Sequence, residues 1–492
     1  MTFGIELECI AVFPPDLFEN DERNYHADAI SALSLACMKR GINSSGHESV
    51  DDDEVWGDDI GDTYSRWCFK DEGGLYLSKK EREALPDVLD NYTIEALEVS
   101  SRCFNFEGDD WQKELRLVLD AFHELEARGV LFVTNATTGY HIHVGFGQMV
   151  MPLRTAKSVL QLCTGFEDRL DALYSTSRID ENAATNVAPG RHFNAGLAWH
   201  FKNNERTDYG PNIFHWLTSI EEASSFEQLG DFFRNDIPEQ TNWTEVEQTN
   251  AHFSTLNLDN LYEGLHGDIG STAPTGTIEF RQHGGTLDLA TIVAHILLKQ
   301  ALVEFCHTST DKKFLQLFAH ISNPTFRLSD LIGAIGGSQQ LLEYHESRRS
   351  FATAQAQKAA YEQTMAEIKD GWFDDCPLNM LENQASVEHY ERNNWAAVSA
   401  KIQAKHQAGA YGQIQTRDLD IAVEWNKFVW FNSSEFPADE LATLTRVMVF
   451  QQLNGDDMEF DCSPRMSGAD EDMEDVESDG GDLVYSADEM ME

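Results

Sequence analysis

Basic residues are scarce in this chain. Lys and Arg together number 36 against 84 Asp and Glu, a formal net charge of -48. A surface of that sign repels phosphate backbones and anionic lipid, so neither nucleic acid nor a membrane is an expected partner. A polyanionic ligand would need a local Arg or a divalent cation to be held at all. The eight cysteines (Cys9, Cys37, Cys68, Cys103, Cys163, Cys306, Cys376 and Cys462) include no CxxC pair and no regular framework. That spacing argues for free thiols in a reducing compartment. No basic segment followed by an apolar run opens the sequence, and no apolar stretch is expected to reach the ~20 residues that span a bilayer. The expectation is a soluble protein of the cytosol or nucleus.

Apolar residues are not lacking. They make up 41% of 492 residues, enough for a substantial core, and the length suggests two or three domains or one large core with additions. Strands are predicted at 3–13, 64–70, 92–104, 130–134, 140–146 and 275–283. Helices are predicted over 28–40, 110–128, 153–173 and 287–306. In 110–128 the apolar residues Trp111, Leu115, Val118, Phe122 and Leu125 recur every three or four positions, with Gly129 at the stop. A loop is expected over Ser44–Asp62, and the stretch 180–270 is irregular. Strands with interspersed helices indicate α+β more than a doubly wound parallel sheet. Three regions follow: 1–310, a mainly helical 311–454, and a tail from 455 to 492. The tail carries 15 acidic residues and one Arg, a composition that predicts disorder. It is read as a solubilising segment or a regulated docking site for a partner protein, with Ser467 and Ser486 just before acidic residues.

Four segments interrupt apolar strands with polar groups two residues apart, a spacing that places both on one face. In Phe3-Gly-Ile-Glu-Leu-Glu8 the carboxylates of Glu6 and Glu8 share a face. Two half-buried carboxylates repel each other, and a divalent cation such as Mg²⁺ or Mn²⁺ removes the conflict. Glu98 lies in a second apolar run, Glu95-Ala-Leu-Glu-Val-Ser-Ser101. In Asn135-Ala-Thr-Thr-Gly-Tyr-His-Ile-His-Val-Gly145, His141 and His143 share a face as metal ligands or proton carriers. In Thr277-Ile-Glu-Phe-Arg-Gln-His-Gly-Gly-Thr-Leu-Asp288, Glu279 and Arg281 share a face, pairing a carboxylate with a guanidinium suited to phosphate. The helix start after that Gly-Gly turn offers backbone amides to an anion.

Taken in order, F-G-I-E-L-E, E-A-L-E-V-S-S, T-G-Y-H-I-H-V-G and T-I-E-F-R-Q-H-G-G-T-L-D resemble the amidoligase family, relatives of glutamine synthetase and glutamate–cysteine ligase. The motifs span roughly residues 3–306. The resemblance implies a curved antiparallel sheet with helices on its outer face and two or three divalent metals and ATP on its concave face. It implies that Glu6, Glu8, Glu98, His141 and Glu279 bind metal, that Arg281 contacts phosphate, and that His143 is the partner histidine and a candidate proton acceptor. Asn257, in Leu-Asn-Leu, and Asn135 are matched to cofactor contacts. Asp71 and Arg178 are weaker matches, and Gly73 stands where the family's small hydroxyl residue is usual. The implied activity is ATP-dependent amide-bond formation between a carboxylate and an amine, small molecules or peptides, through an acyl phosphate. Rival readings are a metal-dependent amidohydrolase, phosphotransfer to a guanidino nitrogen, and a non-catalytic binding protein on the same fold.

Overall fold

The twelve-residue strand β1 (Thr2–Phe13) organises the molecule. Its odd-numbered residues Phe3, Ile5, Leu7, Cys9, Ala11 and Phe13 are all buried in the main core. Burying each large apolar side chain contributes about 1.5–3 kcal/mol, so this face sets which way the strand turns. The even-numbered Thr2, Gly4, Glu6 and Glu8 consequently face the other way.

The computed structural model describes residues 1–15, 17–18, 28–46, 65–77, 92–170 apart from 136 and 148, 173–174, 213–229, 256–262, 276–348 and 437–454, with isolated positions 82, 402–404 and 407. After β1 come α1 (Ala29–Lys39), β2 (Ser44–Gly46), β3 (Trp67–Asp71), β4 (Thr93–Ser100), β5 (Phe104–Asn105), α2 (Trp111–Glu126), β6 (Leu131–Val133) and β7 (Gly139–Gly145). Then follow α3 (Leu153–Gly165), α4 (Glu167–Leu170), α5 (Ile213–Glu222), β8 (Leu256–Asn257), α6 (Asp259–Tyr262) and β9 (Ile278–Gly284). The last elements are α7 (Leu289–Thr308), α8 (Asp311–Phe318), α9 (Leu328–Ala334), α10 (Gln339–Arg348) and α11 (Ala438–Asn454). Strands and helices are thus mixed, in an α+β arrangement around one sheet.

The sheet has the order β2-β3-β4-β1-β7-β9-β8, with β5 and β6 also pairing β1. All pairs are antiparallel except β2–β3, which is parallel. The expectation of a wholly antiparallel sheet is corrected by that pair, and the loop expected from Ser44 begins instead with β2. Ser44 is buried there and donates to Ser34 O at 2.9 Å, which anchors the short strand to α1.

Two strand partners of β1 are interrupted. β6 pairs Ile10–Val12 and β7 pairs Thr2–Leu7, so both run the same way along one edge of β1, end to end. The chain therefore does not reverse between them as a hairpin would. Pairing to β1 stops after Ile10 and resumes at Leu7, leaving Glu8 at the interruption. A second irregularity lies between β7 and β9. Tyr140 pairs His283 and Ile142 pairs Phe280, so Arg281 and Gln282 together oppose the single residue His141. This β-bulge reverses the facing of everything beyond it.

The helix predicted over 153–173 is broken at Phe166, although Val159, Leu162, Phe166, Leu170 and Leu173 are all buried as their stripe requires. Helix α5 falls in the stretch read as irregular. Helix α7 corrects the expectation about apolar runs: at 20 residues and hydropathy 1.6 it is long and apolar enough to cross a membrane, yet 67% of that window is buried inside the fold. It packs against β7, α2, α3 and α10, which cover most of its apolar surface. Helices on both sides of residue 310 share one core. A buried charge network joins them: Arg154 pairs with Glu221 and Asp311, and Arg446 Nη2 lies 2.6 Å from Asp311. Most of 349–436, Arg178, and the tail with Ser467 and Ser486 lie outside the described residues.

Candidate metal and anion centre

Register explains why the polar residues meet. One row across the sheet reads Cys68, Ser100, Glu6, His141. The next reads Lys70, Glu98, Glu8, and a third reads Gly4, His143, Glu279, Asn257. Because β1, β4 and β7 each bury their alternate apolar residues against the helices, all of these side chains share the opposite face.

Glu6 is the hub. One carboxylate oxygen lies 3.1 Å from His141 Nδ1 and the other 3.2 Å from His143 Nε2. Glu279 Oε1 is 3.5 Å from His141 Nδ1 and 3.9 Å from His143 Nε2. Ligand atoms of Glu6, His143 and Glu279 all lie within 4.8 Å of one another, close enough to hold one metal ion. The sequence reading had given the ligand role to His141 and left His143 as its partner. In the structure His143 belongs to this tight group, while the fully buried His141 is wedged between Glu6 and Glu8, its Nε2 at 3.6 Å from Glu8 Oε1.

Glu8 is buried and accepts the Gly139 N–H at 2.5 Å. The interruption between β6 and β7 makes this possible, because Gly139 opens β7 where the ladder resumes. Gly139 has to be glycine here: a Cβ would collide with His141 Nε2 and stand 3.0 Å from Glu8 Oε2. Glu98 is held by Lys70 Nζ at 2.9 Å and by the Ser100 hydroxyl at 2.7 Å.

Glu279 is gripped by Arg281 Nη1 and accepts from Asn257 Nδ2 at 2.8 Å. Asn257 was expected at the cofactor; the structure places it on the Glu279 carboxylate. Asn135 has its side chain committed to the 135–139 turn. Its Nδ2 donates to Tyr76 O at 2.9 Å, and its Oδ1 accepts from Thr137 N and Oγ1. Asp71 has the parity of buried Trp67 and Phe69 and pairs Leu97, so it stands on the helix side of the sheet, away from the cluster. Its neighbour Lys70 takes the site face. Alternation along Trp67-Cys-Phe-Lys-Asp71 carried that signal in the sequence. Nor is the start of α7 open to an anion, because Asp288 caps it and accepts Thr291 N–H at 2.8 Å. The Gly-Gly turn serves close packing: a Cβ on Gly285 would overlap the Thr138 hydroxyl.

Charges in this cluster shift one another. Burial pulls His143 down, but Glu6 and Glu279 outweigh it and push its pKa up to about 9. Burial drives Glu279 up, but Arg281 and His143 dominate and hold it down at about 2. Burial and the repulsion of Glu6 push Glu98 up to about 8 in spite of Lys70. Two buried nitrogens, His141 Nε2 and Arg281 Nε, have no hydrogen-bond partner among the described residues. A buried polar atom left so costs about 1–3 kcal/mol, which a bound ligand would recover.

No family model matches the sequence, and no curated protein does.

Proposed function

We propose that this chain is an ATP-dependent carboxylate–amine ligase working with Mg²⁺ or Mn²⁺ on a glutamine-synthetase-like sheet. The observation that supports this reading most is the convergence of Glu6, Glu8, Glu98, His141, His143, Glu279 and Arg281, from four separate strands, on one face of one sheet. The donor set fits a divalent cation. Two carboxylates and an imidazole within bonding reach of one point suit Mn²⁺ or Mg²⁺, and His143 Nε2 is directed at both carboxylates. Glu6, His143 and Glu279 would hold the ion. When bound, it would offset phosphate charge that a protein of net charge -48 otherwise repels.

The chain's own residues do the positioning. Arg281 spends one nitrogen on Glu279 and keeps Nε for an incoming phosphoryl oxygen, which its planar fork can grip in a fixed direction. Asn257 holds the second oxygen of Glu279 and so aims the first toward His143. Glu8, fixed by the Gly139 amide, keeps the His141 ring in place beside Glu6. With His143 turned to the cation, it is not the proton acceptor for the amine.

Equilibrium dialysis of ATP against the chelator-treated protein, with and without Mg²⁺, tests the nucleotide reading. Binding is expected with Mg²⁺ and not without, and not in Glu279→Ala. A phosphate-release screen over carboxylic acids and amines then tests the ligase reading, with release expected where both are present. ATP binding unchanged by EDTA would overturn the metal–nucleotide scheme, and amide hydrolysis with Zn²⁺ and no nucleotide would replace this proposal with the hydrolase.

A further inference from the structure

Lys70 and Glu98 form a pair in the cluster that the metal and nucleotide chemistry above leaves without a task. Lys70 sits on β3, directly across from Glu98, with its Nζ 2.9 Å from Glu98 Oε1. Its side chain is 48% exposed while that of Glu98 is 7% exposed, so the ammonium reaches inward over a buried carboxylate from the open rim. Glu98 and Glu6 lie on neighbouring strands and repel each other, and both attract Lys70. A further cation beside these two carboxylates would be attracted by both.

The charge count is simple. With an ion bound, His143 is neutral, and Glu6, Glu8, Glu98 and Glu279 in their ionised forms supply four negative charges. Arg281 and Lys70 supply two fixed positive ones. The two charges left over match one divalent ion, and the Glu6, His143 and Glu279 ligand atoms already define its place. A second divalent ion would overcompensate the cluster and would have to displace the ammonium from Glu98. Two like-charged groups cannot share that carboxylate without a Coulomb cost that the low dielectric of a buried site enlarges.

We propose that Lys70 is a built-in cation standing in the second position of this centre, so that the protein takes a single divalent ion at Glu6, His143 and Glu279, and that removing the ammonium opens a second ion site at Glu98 and Glu6. The proposal rests on the metal reading of the cluster and adds to it the number of ions and the reason for that number. Lys70 is a positioning residue in this scheme: it acts through Glu98 and sets how many ions the sheet accepts.

The test is stoichiometry, read without turnover. Full-length, chelator-treated protein is titrated with Mn²⁺ in moderate salt, and free Mn²⁺ is followed by electron paramagnetic resonance. Glu279→Ala serves as the blank for weak binding by other acidic residues. One Mn²⁺ per chain above that blank is expected for the native protein and for Lys70→Arg, and two for Lys70→Met. The second should vanish in Lys70→Met/Glu98→Gln. Two ions in the native protein overturn the role of Lys70 and leave the metal reading intact. So does a single ion in folded Lys70→Met. No Mn²⁺ above the blank in the native protein overturns the metal reading itself. Lys70 is half-exposed, so Met at this position should fold; the native count alone decides the matter if it does not.

Discussion

Arg281 and Glu279 are each buried and each depend on the other. Their side chains are 7% and 2% exposed, and Arg281 Nη1 is on Glu279 Oε1. Removing one partner leaves an uncompensated charge in the interior, a loss of about 3–5 kcal/mol. Glu279→Ala is therefore expected to lower stability by that amount in urea denaturation, and Glu279→Ala/Arg281→Met to recover most of it. Equal stability of the single and double variants would show that the pair is solvated. His143 gives a pH dependence. With its pKa up at about 9, the cation-free protein binds a proton there at neutral pH, and a metal must displace it. Mn²⁺ affinity is expected to rise with pH up to about 9 and then level off, with close to one proton released per ion at pH 7. Calorimetry in buffers of different ionisation heat measures that number. The sign for stability is opposite: a raised histidine pKa stabilises fully below the unfolded value and the gain disappears as pH climbs through about 9. The cation-free fold should therefore lose stability from pH 7 to 10.

At the scale of elements, the joint between β6 and β7 decides where Glu8 and His141 sit. Gly139 occupies that joint, donating to Glu8 and leaving no room for a methyl group beside His141. Gly139→Ala is expected to cost about 1–3 kcal/mol, as overpacking does, and to weaken Mn²⁺ binding by tilting His141 against Glu6. Thermal unfolding and the Mn²⁺ titration check the two effects separately; unaltered Mn²⁺ affinity would show that His141 does not steer Glu6. Much of this layout was legible from alternation alone. Glu6 with Glu8, His141 with His143, and Glu279 with Arg281 each share a face because Ile5, Leu7, Ile142, Val144, Ile278 and Phe280 bury the other. What alternation could not give was register between strands. It could not show that Lys70 lies across from Glu98, that Asn257 meets Glu279, or that β6 and β7 are collinear along β1. Those facts depend on contacts between residues far apart in the chain, to which a local pattern is blind.

Across the whole molecule, the helices beyond residue 310 are tied to the earlier ones by charge. Arg446 on α11 is buried, lies 4.2 Å over the Phe314 ring, donates to Ser158 Oγ at 3.0 Å and pairs with Asp311. Arg154, Lys157 and Glu221 complete the network between α3, α5, α8 and α11. Arg446→Ala removes the clamp on Asp311 and should cost about 3–5 kcal/mol, by the same reasoning as for Arg281. Its effect is expected on chemical denaturation of the whole unit, with Mn²⁺ affinity near native, because among the described residues no hydrogen bond or ion pair joins this network to the Glu6 cluster. A matching drop in Mn²⁺ affinity would show that the two are coupled. None of this network was visible in the sequence, where its members are spread from residue 154 to residue 446 and carry no common motif.

The surplus residue in β9 sorts the polar side chains of that strand between two compartments. Up to Arg281 they serve the open face; from His283 onward they join Tyr140, Tyr174 and His295 beneath the sheet, with His283 and His295 rings 4.1 Å apart. Point substitutions in β9 would leave that sorting in place, and so would a one-codon deletion at Gln282, which would make His283 the direct neighbour of Arg281 and keep it opposite Tyr140. The bulge lets odd-numbered residues of one strand, Glu279 and Arg281 on one side and His283 on the other, serve two chemically distinct rooms.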